Sequence, residues 1–431
     1  MKKKLFYILL ILVILINSYG CKNADKTINR VTIAGYGLDD ETLQYINLCQ
    51  KSNPEIKIEI KDYQKYGKTD EAIKQLKIDL NTGNCGDLFI SSNYFYLSDY
   101  FDYSISRNLN EFQEINEIKD KMLPNILQSI ETNGEIYEIY PFYTINCFAA
   151  KKNVINSEQW NRKGILDILN RAVDNDTNLF GNNSDTKLQS LIISEICHDY
   201  DEGKSLDKNW YSKLIEASIQ LSKLEKNSIV DYSDELIFKN NQVICREANI
   251  DSFENYYYLK KAYFDDDISL LGDAYDKNTV LINPEIKLSI LSNSLNKNSA
   301  LKIITYFMSE EFQKIVACSN AFPVFINEFN AMYNNTLQEN IYDENGNVLE
   351  KKDGMYIVNG NEIKFDLPVK RDLEEIYSLL TSVNKLKKQN YNLRKEILSE
   401  ISYSFDSDKE PEQIFDDINN IYNTYVSENQ K

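Results

Sequence analysis

Apolar positions first repeat in a strand–helix rhythm. Val31-Thr32-Ile33-Ala34 predicts a strand that ends at the turn Gly35-Tyr36-Gly37. Leu43, Ile46 and Cys49 then share one helical face, behind Asp39 or Asp40 as N-cap, and Asn53-Pro54 stops the helix. Ile56, Ile58 and Ile60 alternate with Lys57 and Glu59, the pattern of a half-buried strand. Thr69 opens a second helix carrying Ile73, Leu76 and Leu80, and Gly83 closes it. Asp87-Leu88-Phe89-Ile90 reads as a third strand. Strand, helix, strand, helix, strand predicts a parallel sheet with right-handed crossovers.

The middle of the chain is more helical. The turn Asn133-Gly134 leads into Ile136 to Tyr143, and Ile145 to Ala150 reads as an extended strand passing from one lobe to the next. Residues 158–172, with Trp160, Ile165, Leu166 and Leu169, predict a helix, as do Trp210, Leu214, Ala217, Leu221 and Leu224. Gln242 to Cys245 predicts a strand after the turn Asn240-Asn241, and Thr279 to Ile282 another, with Pro284 beyond it. Leu301, Ile304, Phe307, Met308 and Ile315 mark one helix. In 340–366, two Asn-Gly turns (345–346 and 359–360) lie among alternating residues, which predicts β-hairpins in an insertion. The last stretch is helical, with Leu373, Ile376 and Leu380, then Leu393 and Ile397, then Ile414, Ile418 and Ile421.

The N-terminus has its own grammar. Lys2, Lys3 and Lys4 precede an apolar run from Leu5 to Ile16. That run is too short for a ~30 Å hydrocarbon core and fits a signal peptide. Ser18-Tyr19-Gly20-Cys21 resembles a bacterial lipobox. Residues 1–20 are therefore expected to be a signal peptide, Cys21 the acylated (palmitate-bearing) first mature residue, and 21–30 a polar tether. The expected location is the outer face of the cell membrane, by a lipid anchor.

Composition narrows the chemistry. With 431 residues, two or three domains are expected. The formal charge of −18 argues against a nucleic-acid partner. The single histidine, His198, leaves no His-based zinc site, and no Gly-x-Ser-x-Gly elbow accompanies it. Cys49, Cys85, Cys147, Cys197, Cys245 and Cys318 are widely spaced with no Cys-x-x-Cys pair, so buried free thiols are expected. Asp174, Asp176, Asn178 and Asp185 resemble a calcium loop, but Leu179 stands where glycine is needed, and a solvated loop is expected. The Lys385–Lys388 cluster reads as a helix surface. No enzyme activity, metal or cofactor is expected. Aromatic residues are 30 Tyr, 19 Phe and 2 Trp, so any stacking platform has to be Tyr or Phe.

Several segments, in order, carry a family resemblance. Leu80-Asn81-Thr82-Gly83-Asn84-Cys85-Gly86-Asp87-Leu88-Phe89 is similar to a small-Gly-x-x-Pro-Asp-hydrophobic segment, with Gly86 in place of Pro. Asn133 to Pro141 is similar to an "Asp-Gly-Lys-Ile-Tyr-Gly-Ile-Pro" approach to a hinge. Met308-Ser309-Glu310-Glu311-Phe312-Gln313 resembles a helix ending Ser-x-Glu-x-Gln, Ala321-Phe322-Pro323-Val324 follows it, and Tyr425-Val426-Ser427-Glu428 resembles a closing Tyr-Leu-x-Glu. With the lipoprotein start and the strand–helix–strand of Val31 to Tyr63, the chain resembles the extracellular solute-binding proteins of ABC importers, a family rich in sugar-binding members.

The resemblance implies a two-lobed α/β Venus-flytrap fold, each lobe a mainly parallel sheet flanked by helices. Lobe one would take 28–141 plus 286–328 and lobe two 142–285 plus 329–431, with hinge strands near 141–146 and 280–285. A ligand would lie at the carboxyl ends of strands. The ligand-contacting residues expected there are Tyr36, Ser92, Asn93 and Tyr94, the hinge-flanking Tyr140, Phe142 and Tyr143, and Glu247, Asn249 and Phe253. The implied partners are a small polar solute, foremost a carbohydrate, and ABC permease subunits, with the protein a monomer. The alternatives are a peptide or polyamine ligand, or presentation of ligand to a membrane sensor without import.

Overall fold

The computed structural model describes residues 29–429 except 68, 93–94, 98–102, 228–235, 275–277, 343–347, 353–354, 359–360, 388–389 and 406. The signal peptide, Cys21, most of the tether and both Asn-Gly turns of the insertion lie outside the described residues.

The first lobe begins with β1 (Asn29–Gly35), α1 (Asp40–Ser52), β2 (Ile56–Asp62), α2 (Thr69–Thr82) and β3 (Leu88–Ser92). β1 runs parallel to β2, with Val31 opposite Ile58, and parallel to β3, with Ile33 opposite Leu88. The Asp39 carboxylate caps α1 by accepting from the Thr42 N–H at 2.8 Å, which turns Tyr45, Ile46 and Cys49 onto the sheet. The Gly86-Asp87 pair has a clear physical role. Gly86 sits at φ +128°, and a Cβ there would come within 2.8 Å of the Thr32 carbonyl. That close approach lets the buried Asp87 carboxylate accept from the Thr32 N–H at 3.0 Å and from the Ser294 hydroxyl at 2.9 Å. Two short helices, α3 (Gln113–Lys119) and α4 (Pro124–Ile130), complete this stretch.

The second lobe is organised on β4 (Phe142–Lys151), which pairs antiparallel with β5 (Arg246–Ile250), β6 (Ile268–Leu271) and β9 (Ile282–Pro284), so this sheet is antiparallel where a mainly parallel one was expected. Between β4 and β5 lie α5 (Arg162–Asp174), α6 (Ser184–Asp201) and α7 (Lys208–Asn227). After β5, α8 (Phe253–Tyr258) runs into a π-helical turn, Leu259–Phe264. The small ribbon β7 (Asp273–Ala274) and β8 (Asn278–Thr279) separates β6 from β9. One residue beyond β9, β10 (Ile286–Ile290) returns to the first sheet, antiparallel to β3. Then come α9 (Lys297–Phe307), α10 (Glu310–Ala317), β11 (Phe322–Pro323) and α11 (Ile326–Leu337). The insertion forms two antiparallel pairs, β12 (Asn340–Tyr342) with β13 (Val348–Lys351) and β14 (Met355–Val358) with β15 (Asn361–Lys364). The chain closes with α12 (Lys370–Ser382), α13 (Tyr391–Phe405) and α14 (Pro411–Asn429).

One core runs from the first sheet through the hinge, joining Ile46, Leu88, Tyr140, Phe142 and Phe312 to Ile145 and Phe253. A second core lies among the helices of lobe two, with Trp160, Leu169, Ile192, Leu214, Ile397 and Ile418. Three connections cross between the sheets: Pro141 into β4, Glu285 between β9 and β10, and the segment from α10 to β11. Gln313 ties the first and third of these together. It is wholly buried, its amide donates to the Pro141 carbonyl at 2.8 Å, and its oxygen accepts from the Val324 N–H at 2.8 Å.

Four local expectations differ from the structure. Gln242–Cys245 is not a strand: Ile244 and Cys245 donate their N–H groups to the loop carbonyls of Asn178 and Leu179, and the strand starts at Arg246. Thr279–Ile282 is broken into β8 and β9, and Pro284 lies within β9 instead of after it. The helix expected through Leu301 and Ile315 is two helices, because Ser309 caps α10 by accepting from the Phe312 N–H at 3.2 Å. The 158–172 helix starts only at Arg162, since Trp160 is buried in the preceding bend with its indole N–H on the Gly272 carbonyl at 2.7 Å. Phe322 and Pro323, within the stretch allotted to lobe one, add to the second sheet beside Tyr143 and Phe142.

Candidate functional site

The hinge leaves an open cavity of about 600 Å³ between the lobes. Lobe one supplies Tyr96, Tyr103, Tyr137, Glu138, Tyr140 and Lys287. Lobe two supplies α6, through Ser194, His198 and Asp201, and α13, through Arg394. Between α12 and α13 runs a strap, 383–387, whose Lys385 and Lys387 also face the cavity.

Aromatic faces and polar tips alternate on these walls. Tyr103 and Tyr137 stack with ring centroids 4.8 Å apart at 18°. Tyr96 gives its hydroxyl hydrogen to the Pro284 carbonyl at 2.6 Å, and the Lys287 ammonium lies 4.1 Å from its ring centre. Lys287 also pairs with Glu138 Oε2 at 3.3 Å, leaving Glu138 Oε1 buried without a hydrogen-bond partner. The Tyr140 hydroxyl shares a 2.7 Å hydrogen bond with Ser129, and burial pushes its pKa up. On the facing wall, Asp273 accepts from the Ser194 hydroxyl at 2.7 Å and Asp201 accepts from the Asn390 amide at 3.3 Å. Burial holds His198 below the usual histidine range. Tyr200 and Tyr425 meet edge to face at 5.2 Å.

Of the residues expected at the ligand, Tyr140 lines this cavity. Tyr36 and Ser92 are buried together away from it, with the Ser92 hydroxyl on the Tyr36 carbonyl at 3.0 Å and the Tyr36 ring against Phe95. Asn93 and Tyr94 lie outside the described residues. Phe142 packs into the core with Tyr45 and Phe312. Tyr143 packs on Phe322, and Phe253 is enclosed by Phe322, Phe329 and Tyr333. Glu247 and Asn249 point outward from β5, on the face opposite the buried Ala248 and Ile250. The hinge aromatics went inward because β4 is the central strand of its sheet and is buried on both faces over Phe142–Ile145.

Other wall residues were passed over. Tyr137 and Tyr425 belong to the quoted resemblance segments, and His198 stood out as the single histidine; each was a usable signal. Lys385 and Lys387 lie on the strap, not on a helix surface, because Ile282 donates its N–H to the Lys385 carbonyl at 2.9 Å and accepts from the Lys387 N–H at 2.8 Å, which extends β9. Lys388 lies outside the described residues. Among the described residues, no group of three or more His, Cys, Asp or Glu is placed to hold a metal ion.

No protein-family model matches the chain, and no curated protein sequence does. Solved structures do. An ABC substrate-binding protein from Listeria monocytogenes in complex with cycloalternan superposes with a TM-score of 0.53 at 12% identity, covering 93% of this chain and 99% of that one. The chain has the solute-binding-protein fold. A family 1 extracellular solute-binding protein from Bifidobacterium longum subsp. infantis gives 0.54 at 13% identity, covering 92% and 99%. The galacto-N-biose-/lacto-N-biose I-binding protein of a Bifidobacterium longum ABC transporter, in complex with lacto-N-biose, gives 0.51 at 12%, covering 93% and 98%.

Proposed function

We propose that this protein captures a carbohydrate in the cleft between its lobes and delivers it to the permease of an ABC importer. The observation that carries the reading is the tyrosine-lined cavity at the lobe junction of a solute-binding fold. Its ~600 Å³ lies within the usual range for small-molecule sites. Stacked Tyr103 and Tyr137 offer a flat face for the C–H side of a sugar ring, and the unpartnered Glu138 Oε1 accepts from a hydroxyl. The two neighbours solved with a bound sugar, cycloalternan and lacto-N-biose, support the ligand class. Cys21 anchors the protein by its acyl chains on the outer face of the membrane, where two chains hold stably at ~0.8 kcal/mol per buried CH₂. It acts as a monomer and without catalysis.

A thermal-shift and calorimetric screen over sugars, peptides, amino acids and polyamines tests this. A sugar raises Tm, and Tyr137→Ala weakens that sugar about tenfold, equivalent to 1.4 kcal/mol, with the fold intact by circular dichroism. A peptide or polyamine response with none to any sugar refutes the carbohydrate assignment. For the anchor, Cys21→Ala releases the protein from membranes; an unmodified Cys21 at the N-terminus of membrane-purified protein refutes it.

A further inference from the structure

The cleft is far less acidic than the chain that builds it. The whole chain carries −18, yet one stretch of the cleft wall gathers Lys385, Lys387 and Arg394. Three of the carboxylates around the cleft already have protein partners: Glu138 pairs with Lys287, Asp273 accepts from Ser194, and Asp201 accepts from Asn390. The three strap-side cations differ. None makes an ion pair with a described residue, and Arg394 Nε is buried with no hydrogen-bond partner. Their position is fixed, since the strap is hydrogen-bonded to β9 on both sides of Leu386. Burial and the neighbouring Arg394 push the Lys387 amine below the usual lysine range, against the opposing pull of Asp273 and Glu247. Cations held in a half-buried wall without a direct ion pair are stabilised by an arriving anion. A guanidinium beside an ammonium is well matched to a carboxylate or phosphate.

We propose that the solute is an acidic carbohydrate, whose carboxylate or phosphate is held by Lys387 and Arg394 while its ring meets the Tyr103–Tyr137 stack. Lys385, more exposed at the rim, adds to the attraction. The inference rests on the carbohydrate reading above and narrows it. A polyamine, by contrast, would face like charge on this wall.

The test is calorimetric titration of the Cys21→Ala protein with glucuronate, galacturonate and their short oligomers, with glucose 6-phosphate, and with the neutral parent sugars. At least one acidic sugar binds tenfold or more tightly than its neutral parent at low salt. The preference collapses in Lys387→Ala and Arg394→Gln, survives in Lys387→Arg, and weakens as salt is raised. The uronate and phosphate arms identify which acid group the site takes. A neutral sugar bound as tightly as its acid, with the ratio unmoved by the variants, overturns the inference and leaves carbohydrate capture standing. Binding of a non-sugar acid with no response to any sugar overturns both. An acid preference equally lost in Lys387→Arg makes the lysine a packing element and also refutes the proposal.

Discussion

Replacing Gln313 by leucine removes a side chain that joins two of the three crossings between the lobes, at Pro141 and at the segment from α10 to β11. The side chain is 0% exposed, donates to the Pro141 carbonyl at 2.8 Å and more weakly to Phe307 at 3.3 Å, and accepts from the Val324 N–H at 2.8 Å. Leucine has nearly the same volume, so the cavity contribution is small and the loss is almost purely one of hydrogen bonding. The Pro141 carbonyl and the Val324 amide are each left buried and unpaired, at about 1–3 kcal/mol apiece, or about 2–6 kcal/mol together. Against a total stability of about 5–15 kcal/mol, that is a large fraction. Urea unfolding followed by circular dichroism reads it as a lowered midpoint with an unchanged slope. Gln313→Glu is the informative companion. Its carboxylate sets an acceptor against the Pro141 carbonyl, so it is worse than leucine near pH 7 and recovers in part when protonated in acid. A loss below about 1 kcal/mol for leucine, or a Gln313→Glu protein indifferent to pH, would refute the claim that these bonds fasten the hinge.

Two further outcomes follow from buried groups. Glu285, the single residue between the hinge strands, has its pKa raised to about 7, chiefly by burial and then by Glu41, Asp39 and Asp251. In the unfolded chain it titrates near 4.5, so between about 4.5 and 7 the folded state binds the extra proton and stability falls as pH rises. Glu285→Gln therefore raises Tm at pH 8 and leaves it unchanged at pH 4; an equal gain at both ends would contradict the assignment. Among the six described cysteines, all free, only Cys318 is exposed, while burial lifts Cys49, Cys85 and Cys147 to about 12. A thiol reagent applied to the Cys21→Ala protein should label one cysteine quickly when folded and six in urea, and rapid native labelling of two or more would count against the burial described.

Local signals in the chain were enough for the elements of the first lobe. The alternation of Ile56, Ile58 and Ile60, the Asp39 cap and the Gly83 stop each act within a few residues, and β1, α1, β2, α2 and β3 follow them closely. The hairpin strands and the three closing helices were legible for the same reason, as were the buried thiols. Where a segment's partner lies far along the chain, local pattern misled. Gln242–Cys245 is apolar because it packs on the 178–179 loop, and Ser309 divides a continuous apolar stripe because its hydroxyl caps α10.

The candidate site belongs almost wholly to this second class. Its walls join residues near 96–140, 194–202, 273–287, 385–394 and 425, segments that no spacing rule connects. The sequence by itself determined the elements of the first lobe, the hairpin strands and closing helices, and the presence of many tyrosines with polar tips. Only the tertiary structure decided which tyrosines were left facing a cavity and which filled the core. β4, buried on both faces over Phe142–Ile145, drew Phe142 and Tyr143 inward, while lobe geometry left Tyr103 and Tyr137 at the opening. It likewise took Lys385 and Lys387 from an apparent surface cluster and set them on a strap across the cleft, because the strap's backbone completes the edge of β9.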